Sequence, residues 1–409
     1  MRRRAMAGPG AYVFGDEERR EVEDVLTSGH LSRYGSADDP GFTQKVHTLE
    51  QEFAAHCGVA HAVATSSGTG ALLISLLAAG IGPGDEVLVP GFTYVATMGA
   101  IVHARAVPVL VEVDESLTMD PQDLRRKITP RTRAVLVVHM LGNACDMRQI
   151  RKIVEERDLV LIEDACQAGG GSYDGRALGS FGALGAFSFN RYKMMSTGDG
   201  GIVVTDDQRL YERVFALHDQ GHIPLRAGGK MAGHARSLIG LNFKMNELTG
   251  AVALAQLRKV DGIVATLREK KAALRARIPD LPGVRPRVLN DPAGDCASLL
   301  TYLFDEREHA EAVAARLGVR TVAGSGWHVY GLMDQIVEHK TPVPGWSEPA
   351  RYAQPGDLPR TDDILGRAIN ISVGVVDNGI GAGFGINIAS SDAEITLVAE
   401  RFAAACEAA

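Results

Sequence analysis

The sequence predicts an α/β protein, with a central, mainly parallel sheet in a large domain followed by a smaller α+β C-terminal domain. Three observations carry this prediction. Short apolar runs such as "HAVAT", "EVLVP", "AVLVV" and "LVLIED" are nearly continuous, the mark of strands covered on both faces rather than one. Helical patterns of crossover length separate several of them, as parallel neighbours require. Near residue 258 the texture changes to a long charged helix, "LRKVDGIVATLREKKAALRARI", and a loop rich in proline and glycine, "PDLPGVRPRVLNDPAGD".

Taken in order, "DEERREVEDVLTSG" has helical spacing and stops at Gly29, a C-terminal cap. "HTLEQEFAAHCG" is a second amphipathic helix, and "HAVAT" a strand that runs through "SSGT" into the helix "GALLISLLAAG". The strand "DEVLVP" precedes a helical "TYVATMGAIVHA" and the strand "VPVLVEVD". "AVLVVHMLG", the helix "MRQIRKIVEER" and "LVLIEDA" follow, then the strands "LGAFSF" and "GIVVT". The polar, glycine-rich "DQGHIPLRAGGKMAGHARS" reads equally as a substrate-facing loop and as plain surface. The expected boundaries are an N-terminal tail at 1–14, the large domain at 15–257 and the small one at 258–409. A ligand is expected at the carboxyl ends of the strands.

Composition narrows the function. A formal charge of −7 argues against non-specific nucleic-acid binding and favours small-molecule work. The five cysteines (57, 145, 166, 296, 406) are scattered without a CxxC spacing, so neither a disulfide framework nor a structural zinc site is supported. The basic start "MRRRAMAGPG" lacks the apolar run of a signal peptide. No stretch reaches about 18 apolar residues. The expectation is a soluble, cytoplasmic protein with no membrane partner.

Four segments place polar residues just after apolar strands. "TSSGTGAL" sets Ser67, Gly68 and Thr69 at a strand-to-helix turn; such a turn suits a phosphate dianion, or is a simple helix cap. "PGFTYVATM" offers Phe92 and Tyr94, whose rings would stack on a flat cofactor or pack in the core. "LVLIEDACQAGG" ends a strand on Glu163 and Asp164, and buried carboxylates there need partners. They would bind a metal, cap a helix or face a protonated heterocycle, but no nearby His or Asp completes a metal set. "SFNRYKMMSTGDGG" places Lys193 between a strand and a glycine-rich turn. A lone lysine is usually solvated, but a lysine, a carboxylate and a phosphate cup in one α/β domain are the parts pyridoxal-phosphate chemistry needs.

From about residue 15 to 260 the chain resembles the DegT/StrS-type sugar aminotransferases, fold-type I pyridoxal-phosphate enzymes. The resemblance runs through "AVATSSGTGAL", "GDEVLVPGFTYVAT", "ITPRTRAVLVVHMLG", "LIEDACQA", "GALGAFSFNRYKMMSTGDGGIVVTDD" and "GLNFKMNELTGAVALAQL". It implies pyridoxal 5′-phosphate as cofactor, with Lys193 as the Schiff-base lysine and proton shuttle. Asp164 would pair with the ring nitrogen, Gln167 approach the ring hydroxyl and Tyr94 stack on the ring. Gly68, Thr69 and Ser188 would hold the phosphate, with Asn242 reaching it from the neighbouring subunit of a homodimer. The amino group would pass from glutamate or glutamine to a keto sugar or sugar-like ketone through a pyridoxamine phosphate form.

One family branch has histidine in place of the lysine and dehydrates a sugar carbon; Lys193 favours transamination here. Elimination chemistry on the same fold and a non-catalytic regulatory or binding relative are the alternatives. A nicotinamide dehydrogenase is not supported, since no G-x-G-x-x-G follows the first strand. "GSGWHVYGLMDQIVEHK" partly matches a family segment that approaches the sugar, with His328 facing the site. Arg191 would contact an anionic substrate group or stay solvated. "RAINISVGVVDNGIGAGFGINIASSDAEI" stands where many relatives have a short Leu-Pro strand. The acceptor therefore stays open between a nucleotide-linked keto sugar, a free keto sugar or sugar acid, and a cyclitol ketone.

Overall fold

The computed structural model describes residues 6–36, 38–225, 230–231, 237–343 and 352–409. Seven strands form the main sheet: β1 (His61–Thr65), β2 (Glu86–Pro90), β3 (Val107–Val111), β4 (Thr132–Val138), β5 (Val160–Asp164), β6 (Leu184–Ser188) and β7 (Gly201–Thr205). Their order is β1-β7-β6-β5-β4-β2-β3. β7 pairs antiparallel with both β1 and β6, and every other pairing is parallel. The sheet is thus mainly parallel, as the apolar runs predicted.

Those runs are continuous because both faces of the sheet are covered. Val87, Val89, Ala134, Leu136, Val138 and Ile162 enter the core on one face. Their neighbours Leu88, Val135, Val137 and Leu161 enter a separate core on the other, following the two-residue strand period. Each fully buried Val, Leu or Ile among them contributes roughly 1.5–3 kcal/mol.

The helices follow the sequence pattern closely. α1 (Asp16–Ser28) opens with three acidic residues and ends at Gly29 in the left-handed region, φ +69°, the expected cap. Glu18 closes its start by accepting the Gly15 N–H at 2.7 Å. α2 (Lys45–Cys57) precedes β1, and α3 (Gly68–Ala78) and α4 (Val95–His103) follow β1 and β2. The stretch read as one charged helix, Leu257–Ile278, is broken near its start. α5 (Glu247–Leu257) ends in the turn at Arg258 and Lys259, and α6 (Val260–Arg277) begins after it.

A second sheet, β8 (Val284–Pro286), β9 (Leu299–Phe304) and β10 (Ala368–Ser372), is antiparallel throughout. A helix at Asp392–Glu407 packs on it, with Phe402 4.9 Å from Tyr302 between ring centroids. Most of the glycine-rich segment after "DQGH", residues 226–229 and 232–236, lies outside the described residues, and so does its reading as a substrate-facing loop. Residues 7–10, expected as part of a tail, are buried. Among the described residues no helix is long and apolar enough to cross a membrane.

Candidate active site

Residues at four strand ends on one edge of the main sheet help to enclose a cavity of about 720 Å³. It is lined by Ser67–Thr69 after β1, Thr93–Tyr94 after β2, Asp164 and Gln167 at β5, and Ser188 and Lys193 after β6. This is the carboxyl edge, where ligands of parallel sheets bind.

The first corner is an anion cradle. The Ser67 hydroxyl caps α3 by accepting the Gly70 N–H at 3.0 Å, which leaves Gly68 and Thr69 at the positive end of an eleven-residue helix. A Cβ on Gly68 would lie 2.6 Å from Ser188 Cβ, so only glycine lets the turn approach the end of β6.

Across the cavity, Asp164 is 4% exposed. Its Oδ1 accepts the Cys166 N–H at 3.0 Å and its Oδ2 the Thr97 hydroxyl at 2.8 Å. Thr97 is in turn 2.7 Å from the Thr93 hydroxyl. Two oriented donors fix the buried carboxyl group at the cavity wall. Gln167 is also oriented: its Oε1 accepts the Leu141 N–H at 3.0 Å, so its NH₂ is the end left for a ligand.

Leu141 has φ +57°, a conformation that costs a non-glycine residue about 1–3 kcal/mol. The buried guanidinium of Arg287 holds it there by donating to Met140 O at 3.3 Å and Leu141 O at 2.9 Å. Burial lowers the Arg287 pKa to about 10; it remains a cation at neutral pH.

Glu163, one residue before Asp164, points to the opposite face. It accepts the N–H groups of Gly179 at 2.8 Å and Gly182 at 2.6 Å, and lies 2.9 Å from His139 Nε2. The fold thus brings His139, 24 residues away in sequence, beside Glu163. His139 is spent on Glu163 and on the Cys145 N–H, 3.1 Å from its Nδ1. Among the described residues no group of three or more potential ligands is arranged to hold a metal ion.

The Lys193 loop leaves β6 through Asn190, whose carbonyl accepts the Lys193 N–H at 2.9 Å, and returns at Gly198, φ +87°. Buried Met194 and Met195 anchor it from below. The glycine-rich turn thus folds the chain back beside the lysine, as expected.

The opposite wall comes from the C-terminal half: Ser298, Arg320, Ser325, Trp327, His328, Asp377 and Asn378. Thr93 N–H donates to His328 O at 3.0 Å, which sets the His328 ring 5.0 Å from that of Tyr94. His328 Nδ1 lies 3.2 Å from Ser325 O; a carbonyl can only accept, so Nδ1 carries the proton and Nε2 is left as an acceptor. Burial, with the Lys193 cation adding to it, lowers the His328 pKa to about 4. The unfolded chain therefore binds the extra proton first. Stability from this group is complete above pH about 6.5 and declines as pH falls toward 4. Urea midpoints at pH 7.5 and 5.0 are expected to fall further for wild type than for His328→Asn.

Of the residues singled out in the sequence, Gly68, Thr69, Tyr94, Asp164, Gln167, Ser188, Lys193 and His328 share this cavity. Arg191 and Asn242 are exposed and do not line it within one chain. Sequence reasoning missed Thr93, Thr97, Asp377 and Arg287. The four-residue spacing of the two threonines in "FTYVAT", across the first turn of α4, was the available signal.

The donor set fits pyridoxal phosphate: an anion cradle that a Cβ would fill, an oriented buried carboxylate opposite, and a lysine between. Fold and site together define a pyridoxal-phosphate-dependent aminotransferase. Residues 13–375 match the DegT/DnrJ/EryC1/StrS aminotransferase family, and the chain belongs to that family. It is 37% identical over 266 residues to GDP-perosamine synthase of Vibrio cholerae, covering 65% of this chain and 69% of that one. It is 34% identical over 310 residues to L-glutamine:2-deoxy-scyllo-inosose aminotransferase of Streptomyces kanamyceticus, covering 72% and 71%. The crystal structure of 3-amino-5-hydroxybenzoic acid synthase superposes with a TM-score of 0.79 at 28% identity, covering 99% of this chain and all of that one.

Proposed function

We propose that this enzyme moves an amino group from glutamate or glutamine to the ring ketone of a sugar-like acceptor, working as a cytoplasmic homodimer. The observation that carries the reading is the meeting of Lys193, Asp164 and the α3 N-terminus in one cavity. Bound pyridoxal phosphate supplies an aldehyde to receive the amino group and a ring that withdraws electrons from the reacting carbon.

The chain's residues do the rest. Gly68, Thr69 and Ser188 grip the phosphate. Asp164 keeps the ring nitrogen protonated, Gln167 donates its NH₂ to the ring hydroxyl, and Tyr94 covers one ring face. Lys193 Nζ anchors the cofactor and moves the proton at the reacting carbon. His328 Nε2 accepts from an acceptor hydroxyl, and Arg191, exposed two residues before Lys193, meets an anionic group of the substrate.

Asn242 reaches the phosphate of a second copy. Support for that copy is the exposed setting of Asn242, beside Leu241 and Ile239, which are 60% and 99% exposed. The division at 257/258 then assigns the cofactor grip to the large domain and part of the acceptor wall to the small one.

The direct test is spectroscopic. The purified enzyme is expected to be yellow and to bleach to the pyridoxamine form with glutamate or glutamine. If neither donor, nor any other amino acid, bleaches it, elimination replaces transamination as the reading. Keto sugars and cyclitol ketones screened against the bleached enzyme then identify the acceptor by return of colour.

A further inference from the structure

We infer that residues 7–10 are a strap that positions the Lys193 loop against the acceptor wall, with Gly8 as its positioning residue. The inference rests on the role of Lys193 proposed above. The Gly8 N–H donates to Arg191 O at 3.0 Å and the Gly10 N–H to Lys193 O at 3.4 Å. The strap thus holds the main chain on both sides of Tyr192. At its other edge Ala7 O accepts the Val376 N–H at 3.0 Å, next to the cavity-lining Asp377 and Asn378. A Cβ on Gly374 would lie 2.9 Å from the Pro9 ring. One short segment therefore touches the lysine loop on one side and the C-terminal wall on the other.

The fit at Gly8 is too close for any side chain. Its φ of −92° is open to every residue, so conformation does not demand glycine there. Proximity does: a Cβ would overlap the Tyr192 carbonyl and lie 2.6 Å from Lys193 O. Both are backbone atoms, so relief requires the loop or the strap to move as a unit. Gly10 is similarly enclosed, with a Cβ expected 2.6 Å from both Ser196 N and Gln256 Oε1. Gln256 is itself fixed by donating to Glu18 Oε1 at 2.7 Å, so this side does not yield.

The test compares Gly8→Ala with Gly262→Ala, a control in α6 where a Cβ meets nothing within 4 Å. Both variants are purified with cofactor and checked for a cooperative melt. A misplacement on the order of 1 Å near a reacting group costs about 10²-fold in rate. Gly8→Ala is therefore expected to lower kcat of the glutamate or glutamine half-reaction by roughly 10- to 100-fold, with KM for the donor unchanged. It is also expected to shift the pH midpoint of the bound cofactor's absorbance, and to speed chymotrypsin cleavage after Tyr192 in cofactor-free protein.

A folded Gly8→Ala with the control's absorbance midpoint, cleavage rate and kcat would overturn the strap. If Gly8→Ala does not fold, Gly10→Ala decides by the same measurements. A wild-type enzyme that bleaches with no donor would remove transamination instead. The absorbance and cleavage comparison would still settle the strap.

Discussion

Lys193→Ala is expected to lose at least about 10³-fold in kcat/KM, the scale of removing a positioned proton-transfer group. It should also lose the covalent link to cofactor, so that borohydride no longer fixes pyridoxal phosphate to the chain. Lys193 lines the cavity on a loop pinned by Asn190 O, by buried Met194 and Met195 and by the Gly10 N–H. Truncation removes the amine and leaves the scaffold standing, so the melt should change little. Activity within tenfold of wild type would remove Lys193 from the mechanism.

Asp164→Asn is the second large effect. The substitution preserves volume and leaves an oxygen to accept the Thr97 hydroxyl, 2.8 Å away in wild type. On the role proposed here, what it removes is the charge that pairs with the cofactor ring nitrogen. Breaking one side of a buried ion pair costs about 3–5 kcal/mol, which corresponds to roughly 10²- to 10⁴-fold in rate. The loss should appear in kcat, with cofactor affinity reduced to a smaller extent because the phosphate cradle is intact. Equal rates for Asp164→Asn and wild type would show that no charge is needed there.

Much of this site was legible because its parts follow strands. Double-sided burial makes β2, β4 and β5 read as unbroken apolar runs, and the polar residue after such a run stands out. Ser67, Asp164 and Lys193 were found in that way. What stayed hidden depends on contacts between distant stretches. Arg287 supports Leu141 from 146 residues away, and nothing local marks an arginine as buried. Residues 7–10 look like a loose tail because small residues and proline signal a lack of structure locally. In the folded chain the same smallness is what admits them between Tyr192 and Val376. Asn242 was read through a neighbouring subunit, which a single chain does not contain.

The cavity is assembled from two stretches of chain with different freedom to vary. The strand ends from Ser67 to Lys193 are locked by sheet register, a capped helix and backbone-tight glycines. The wall from Val375 to Ile380 follows β10 as a connecting segment whose residues Asn378 and Gly379 are exposed, the kind of element that tolerates replacement. On the roles proposed here, a lineage of such enzymes can change what it aminates while leaving how it aminates untouched. An engineer would redirect this chain by exchanging the cavity-lining Asp377 and Asn378 and leaving the sheet edge and the Ala7–Val376 contact alone.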